Sequence, residues 1–222
     1  MALQGPRIDG QPQPLPIPTR SLLTGMIGSA LGYRRSDHGK LQALQDNIRV
    51  GVVVHRGGVE ISDYQTADLG KSYLRGPMWS GGTSVAKREG SRTEGLRLQQ
   101  RPYCADADMT VMIELNMDSP VNADQITSAL DQPVRPLFIG RSSCPPACKL
   151  AGRIFDAPSL EAAVLEVARN QAGEMYLPAS AATPTWGDMP LSIPGCRDWA
   201  SYRHAGAELY VMRSCPSSTA QA

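Results

Sequence analysis

The chain has 222 residues, of which 41% are hydrophobic and 19% charged, with a net charge of +1. That length and composition support a core of ordinary size, so no metal or disulfide staple is required for stability. The overall charge predicts no polyanion partner, but its distribution does: seven bases and two acids fall between Lys71 and Arg101, a local +5. The five cysteines are an odd number, and neither a leader pattern nor a membrane-length apolar run is present. A cytoplasmic protein with reduced thiols and no membrane contact is therefore expected.

In chain order, the Pro- and Gly-rich start (residues 1–18) predicts only a stub of strand at Met1–Leu3. Pro18 and Thr19 then open a helix whose apolar face is Leu22, Leu23, Met26, Ile27, Ala30 and Leu31, with Gly32 as its stop. A second short helix is predicted at His38–Asp46. The run IRVGVVVHR (48–56) predicts a buried strand, Gly57-Gly58 a turn, and residues 59–69 a returning strand, together a β-hairpin. Residues 70–95 read as a long excursion of the kind that carries function. Residues 96–116 predict two strands with a break between them.

Asn122 caps a predicted short helix over 122–132. PVRPLFIG (133–140) predicts a strand that delivers the loop GRSSCPPACKL (140–150). SLEAAVLEVARNQ (159–171) predicts a helix capped by Ser159. Residues 172–195 read as a linker, and 207–214 as a closing strand. The order predicts one α/β (α+β) domain over 1–222, ferredoxin-like with the topology of an RNA-recognition motif.

Two groups of residues bear on chemistry, the cysteines and the histidines. Cys144-x3-Cys148 lacks the paired spacing of a zinc site and is not the C-x-x-C of a redox site, so no metal or cofactor is expected. Three histidines are present, and none stands near a G-x-S-x-G nucleophile turn. If the 48–69 hairpin forms, His55 and Tyr64 lie close together. With Lys71 they compose a set able to cleave RNA by metal-independent acid–base chemistry.

Anion binding has wider support. Arg20 and Ser21 stand at the start of the first helix, and Arg34 follows its end. Lys71, Arg75, Lys87, Arg88 and Arg92 lie in the basic excursion, where Met78 and Trp79 are placed to stack or wedge against bases. Gly140, Arg141, Ser142 and Ser143 combine a flexible backbone, a guanidinium and two hydroxyls. Together they predict a surface following a phosphate backbone.

Four stretches in this order, PTRSLLTGMIGSALGYRR, DYQTADL, YCADADMTVMIEL and RPLFIGRSSCPP, resemble the CasD family, the fifth CRISPR-associated protein family of type I-E Cascade. The resemblance covers roughly residues 3–170, and RDWASYRHAGAELYVMRS resembles the family's last strand. It implies a non-catalytic RNA-binding subunit with an RNA-recognition-motif domain and a protruding hairpin thumb, here about residues 70–100. It further implies that the chain caps the 5′ handle of the CRISPR RNA and contacts a CasC-type backbone subunit and a CasA-type large subunit. Target DNA would be met only through the assembly. Related type I-C members cut precursor RNA, so a processing endoribonuclease is the alternative. The family opens with a full apolar strand, of which this chain keeps a stub, leaving one sheet edge in question.

Overall fold

The computed structural model describes residues 1–8, 11–68, 78–80, 83–85, 96–169, 171 and 173–215, with side chains described outside 6–13 and 67–99. The chain opens with a small antiparallel pair, β1 (Gln4–Ile8) and β2 (Gln11–Pro14). Met1–Leu3, the predicted stub, is outside any regular strand and makes separate backbone bonds to Ile139, Cys104 and Leu15. Helices α1 (Arg20–Ala30) and α2 (His38–Asp46) follow, then β3 (Ile48–Arg56). The Thr19 hydroxyl caps α1 by accepting from the Leu22 N–H, as its position predicts.

At Gly57-Gly58 the predicted hairpin does not form. β4 (Val59–Asp68) continues outward from β3 and pairs with β7 (Leu96–Ala105), while β3 pairs with β8 (Asp108–Leu115). The two glycines therefore mark a bend in a long two-stranded ribbon. A Cβ on Gly58, whose φ is +79°, would stand 2.3 Å from the Ala105 carbonyl oxygen. The opposite strand bends at Asp106, with φ 54°. The β4–β7 arm is ten residues long on each strand, about 33 Å of ribbon. The base of this arm is at Val59 and Ala105, and most of the predicted excursion, 70–95, lies outside the described residues. Within it, β5 (Met78–Ser80) and β6 (Thr83–Val85) form a short hairpin.

Helices α3 (Ala123–Asp131) and α4 (Leu160–Ala168) match their predicted caps: Asn122 and Gln125 form a capping box, and the Ser159 hydroxyl accepts from the Ala162 N–H. The predicted strand at 133–140 is irregular instead. Pro133 and Pro136 remove ladder donors, and the segment is held by single bonds such as Val134 N–H to Ala30 and Ala2 N–H to Ile139. The predicted linker 172–195 is also corrected. It contains β9 (Glu174–Pro178) and the start of β10 (Met189–Asp198), which precede β11 (Arg203–Ser214).

These strands form an antiparallel sheet in the order β10-β11-β9-β3-β8. One face carries Val50, Val52, Val54, Tyr176 and Tyr210 against Leu23 and Ile27 of α1, Leu44 of α2 and Ile126 of α3. The other carries Val53, Met175 and Leu177 against Leu160, Ala163 and Val164 of α4. Burial on both faces explains why β3 reads as a continuous apolar run rather than an alternating one. α4 approaches so closely that a Cβ on Gly51 would stand 2.5 Å from Val164. β8 is an edge of this sheet, and an open cavity of about 620 Å³ lies along it between α1, α3, the 148–157 segment and α4. The class is α+β with helices on an antiparallel sheet, as predicted.

Candidate nucleic-acid interface

The loop at 140–143 sits where the arm leaves the body. Gly140 has φ +88°, and a Cβ there would stand 2.1 Å from the Ala2 carbonyl oxygen, so only glycine fits. The Ile139 N–H donates to the Cys144 carbonyl at 2.8 Å, and the Cys144 N–H donates to the Arg141 carbonyl at 2.9 Å. These bonds close the loop while the buried Cys144 side chain anchors it. Cys144 is therefore a packing residue, and Cys148 is exposed. Among the described residues no three metal-ligating side chains converge.

Arg141 points back to the arm. Its guanidinium carbon is 5.0 Å from the centre of the Tyr103 ring, and Nη2 donates to Gln4 Oε1 at 2.7 Å. Gln4 in turn donates to the Pro102 carbonyl at 2.8 Å, and Met1 exchanges backbone bonds with Cys104. Nη1 of Arg141 is buried with no hydrogen-bond partner, an unused donor of a kind that proteins seldom leave without a reason. Hydrogen bonding from Ser143, then from Arg141, holds the Tyr103 phenol below its ordinary pKa. Ser142 and Ser143 are exposed beside it. The result is a guanidinium, a phenol and the Ser143 hydroxyl gathered at the arm's base, a set suited to an oxyanion.

Sequence reasoning found Gly140, Arg141, Ser142 and Ser143 but missed Tyr103 and Gln4. Neither has a motif; both arrive through the pairing of the N-terminal residues with β7.

Arg20 and Ser21 are corrected. Arg20 Nη2 pairs with Glu208 Oε1 at 3.1 Å and contacts Cys196 Sγ at 3.0 Å, and Ser21 is buried against the Thr19 hydroxyl. Burial lowers and the Glu208 carboxylate raises the Arg20 pKa, with a net upward shift. The edge strand β10 packs against this helix, and Glu208 of its neighbour β11 already neutralises the Arg20 charge. Arg34 is exposed, and its backbone N–H donates to Asp37.

His55 and Tyr64 of the predicted set are not brought together across a hairpin. With β4 continuing outward past the bend, Tyr64 is opposite Gln100, nine residues beyond His55, whose Nε2 is 2.7 Å from Thr110 Oγ1. Lys71, Arg75, Lys87, Arg88 and Arg92 lie outside the described residues. Met78 and Trp79 are on β5, paired with Val85 and Ser84.

A family model described as CRISPR-associated protein (Cas_Cas5) matches residues 6–195. The Cascade subunit CasD of the CRISPR system of Escherichia coli (strain K12) is 29% identical over 133 residues, 58% of this chain and 54% of that protein. The match spans about half the length of that curated relative. A chain of a CRISPR RNA-guided surveillance complex superposes with a TM-score of 0.67 at 22% identity, covering 97% of this chain and 86% of its own. A crystal structure of a Cas protein gives 0.51 at 21%, covering 97% and 93%.

Proposed function

Because the chain belongs to the Cas5 family of CRISPR-associated proteins, we propose that it is the subunit of a type I-E surveillance complex that holds the 5′ handle of the CRISPR RNA. In this reading the 140–143 loop and Tyr103 grip the handle where the arm meets the body. The arm, with Lys87, Arg88 and Arg92 beyond β6, follows the RNA backbone. The chain joins a CasC-type backbone subunit to a CasA-type large subunit and acts without catalysis.

The observation that carries this reading is Arg141. A buried, unpartnered guanidinium N–H beside a phenol and the Ser143 hydroxyl is matched by one phosphate oxygen. The separation of His55 from Tyr64 supports this reading over the endoribonuclease alternative. Arg141→Ala in the assembled complex is the test. The expected result is RNA retained about tenfold less well, in line with the loss of one charge-assisted pair. Full retention would remove the loop from the interface, and discrete cutting of repeat RNA without metal would restore the alternative.

A further inference from the structure

A second cationic cluster stands away from the 140–143 loop, where the turn after α1 meets the tip of the β10–β11 hairpin. The guanidinium carbon of Arg35 is 4.4 Å from the centre of the Tyr202 ring, and that of Arg197 is 5.4 Å from Trp199. The two rings meet edge to face at 6.0 Å. The Tyr202 hydroxyl donates to the Arg35 carbonyl, fixing the turn to the hairpin.

Beneath them Gln45, 2% exposed, acts as a clamp. Its Oε1 accepts from the Trp199 indole at 3.1 Å and from the Arg197 N–H at 3.2 Å, and its Nε2 donates to the Arg197 carbonyl at 2.8 Å. The backbone of Arg197 and the turn at Arg35 are thus tied to the body of the protein.

The cluster lacks a counter-charge. Among the described residues no carboxylate pairs with the Arg197 guanidinium, and its Nε is buried with no hydrogen-bond partner. Asp198, its neighbour, is occupied by the Ala200 N–H and the Ser201 hydroxyl at 2.9 and 2.5 Å. Asp37 is occupied by the Arg34 N–H. Burial first, then the nearby Arg35 charge, hold the Arg197 pKa below its ordinary value. Burial and Arg197 do the same to His204. Arg34 and Arg203 add exposed positive charge. Unlike charges gathered to stabilise the fold, these repel one another.

We propose that Arg35 and Arg197, held on the faces of Tyr202 and Trp199, form a second RNA contact that takes a backbone phosphate between them. This rests on the RNA-binding reading above. A guanidinium braced on an aromatic face still presents its N–H edge, which suits a phosphate. None of the large exposed apolar residues belongs to this patch, which favours a phosphate backbone over a protein interface, whose centre is apolar.

The test compares the wild-type chain with Arg35→Ala/Arg197→Gln and with Arg141→Ala. The probe is a labelled single-stranded RNA of mixed sequence, with affinity measured across a salt series and thermal stability measured without RNA. The double variant is expected to bind about tenfold more weakly, with a salt slope shallower by roughly 1–2. Its Tm is expected to be unchanged or higher, since repulsion is relieved. A lower Tm with unchanged RNA binding would make the cluster structural and overturn the proposal. Unchanged RNA binding with loss of affinity for a poly-glutamate peptide would overturn it in favour of an acidic protein partner. If only Arg141→Ala weakens RNA binding, this inference fails and the first stands; if the wild-type chain binds no RNA, both fail.

Discussion

The guanidinium of Arg141 stands 5.0 Å from the centre of the Tyr103 ring, joining the 140–143 loop to the base of the arm. Two residues 38 positions apart in sequence thereby become one surface. The Tyr103 phenol reports on that contact, because Ser143 and Arg141 favour its ionised form. Replacing either Ser143 or Arg141 by alanine should move the phenol's titration upward. Ultraviolet titration of the phenol, with Tyr103→Phe used to assign the signal, measures the shift. A titration curve that stays in place would mean the contact does not persist in solution.

Gly58 sets the direction of the arm. Its φ of +79° and the 2.3 Å approach to the Ala105 carbonyl leave no room for a side chain. Gly58→Ala should destabilise the protein by about 1–3 kcal/mol through strain at this bend. Gly57→Ala is the control, since a Cβ there meets nothing within 4 Å. Denaturant unfolding of both variants should separate them, and equal stability would deny Gly58 its role.

Arg213 links β11 to α4 and to the loop before β10. It pairs with Glu161 at 2.7 Å and with Asp188 at 2.5 Å. The Arg213 hydrogen bond, with one from the Thr185 N–H, holds the Asp188 carboxyl far below its ordinary pKa. Burial raises the Glu161 pKa, but hydrogen bonds from Thr183 and Arg213 outweigh it and leave it lowered. Both folded-state values lie below those of the unfolded chain. Their stabilisation is therefore present above the ordinary carboxylate range and is lost as pH falls through the folded values. Tm should drop with acid below about pH 4 in the wild-type chain. In Arg213→Ala the Tm near neutrality should be lower and the acid limb shallower. Parallel Tm–pH curves for the two proteins would contradict this.

Local signals were legible wherever one residue's chemistry settles a local geometry. Thr19, Asn122 and Ser159 each cap the helix they precede, because a side-chain oxygen next to free N–H groups acts within one turn. The long apolar run of β3 announced a strand buried on both faces. The glycine at 140 announced a turn, and its φ of +88° opens the 140–143 loop.

Tertiary structure decided what sequence spacing leaves open, namely which strand pairs with which. Gly57-Gly58 permits either a hairpin turn or a bend. The bend prevails as β3 pairs with β8 and β4 with β7, carrying Tyr64 away from His55. β9 was concealed among prolines and alanines; as five residues with no periodicity of their own, they become a strand only between β3 and β11. Arg20 had the local signature of an anion site until Glu208, 188 residues later, arrived to neutralise it. By itself the sequence determined the caps, the buried strand and the charged segments, because those depend on neighbours along the chain. Pairing partners and the fate of each buried charge depend on residues far away, and only the packed structure brings them together.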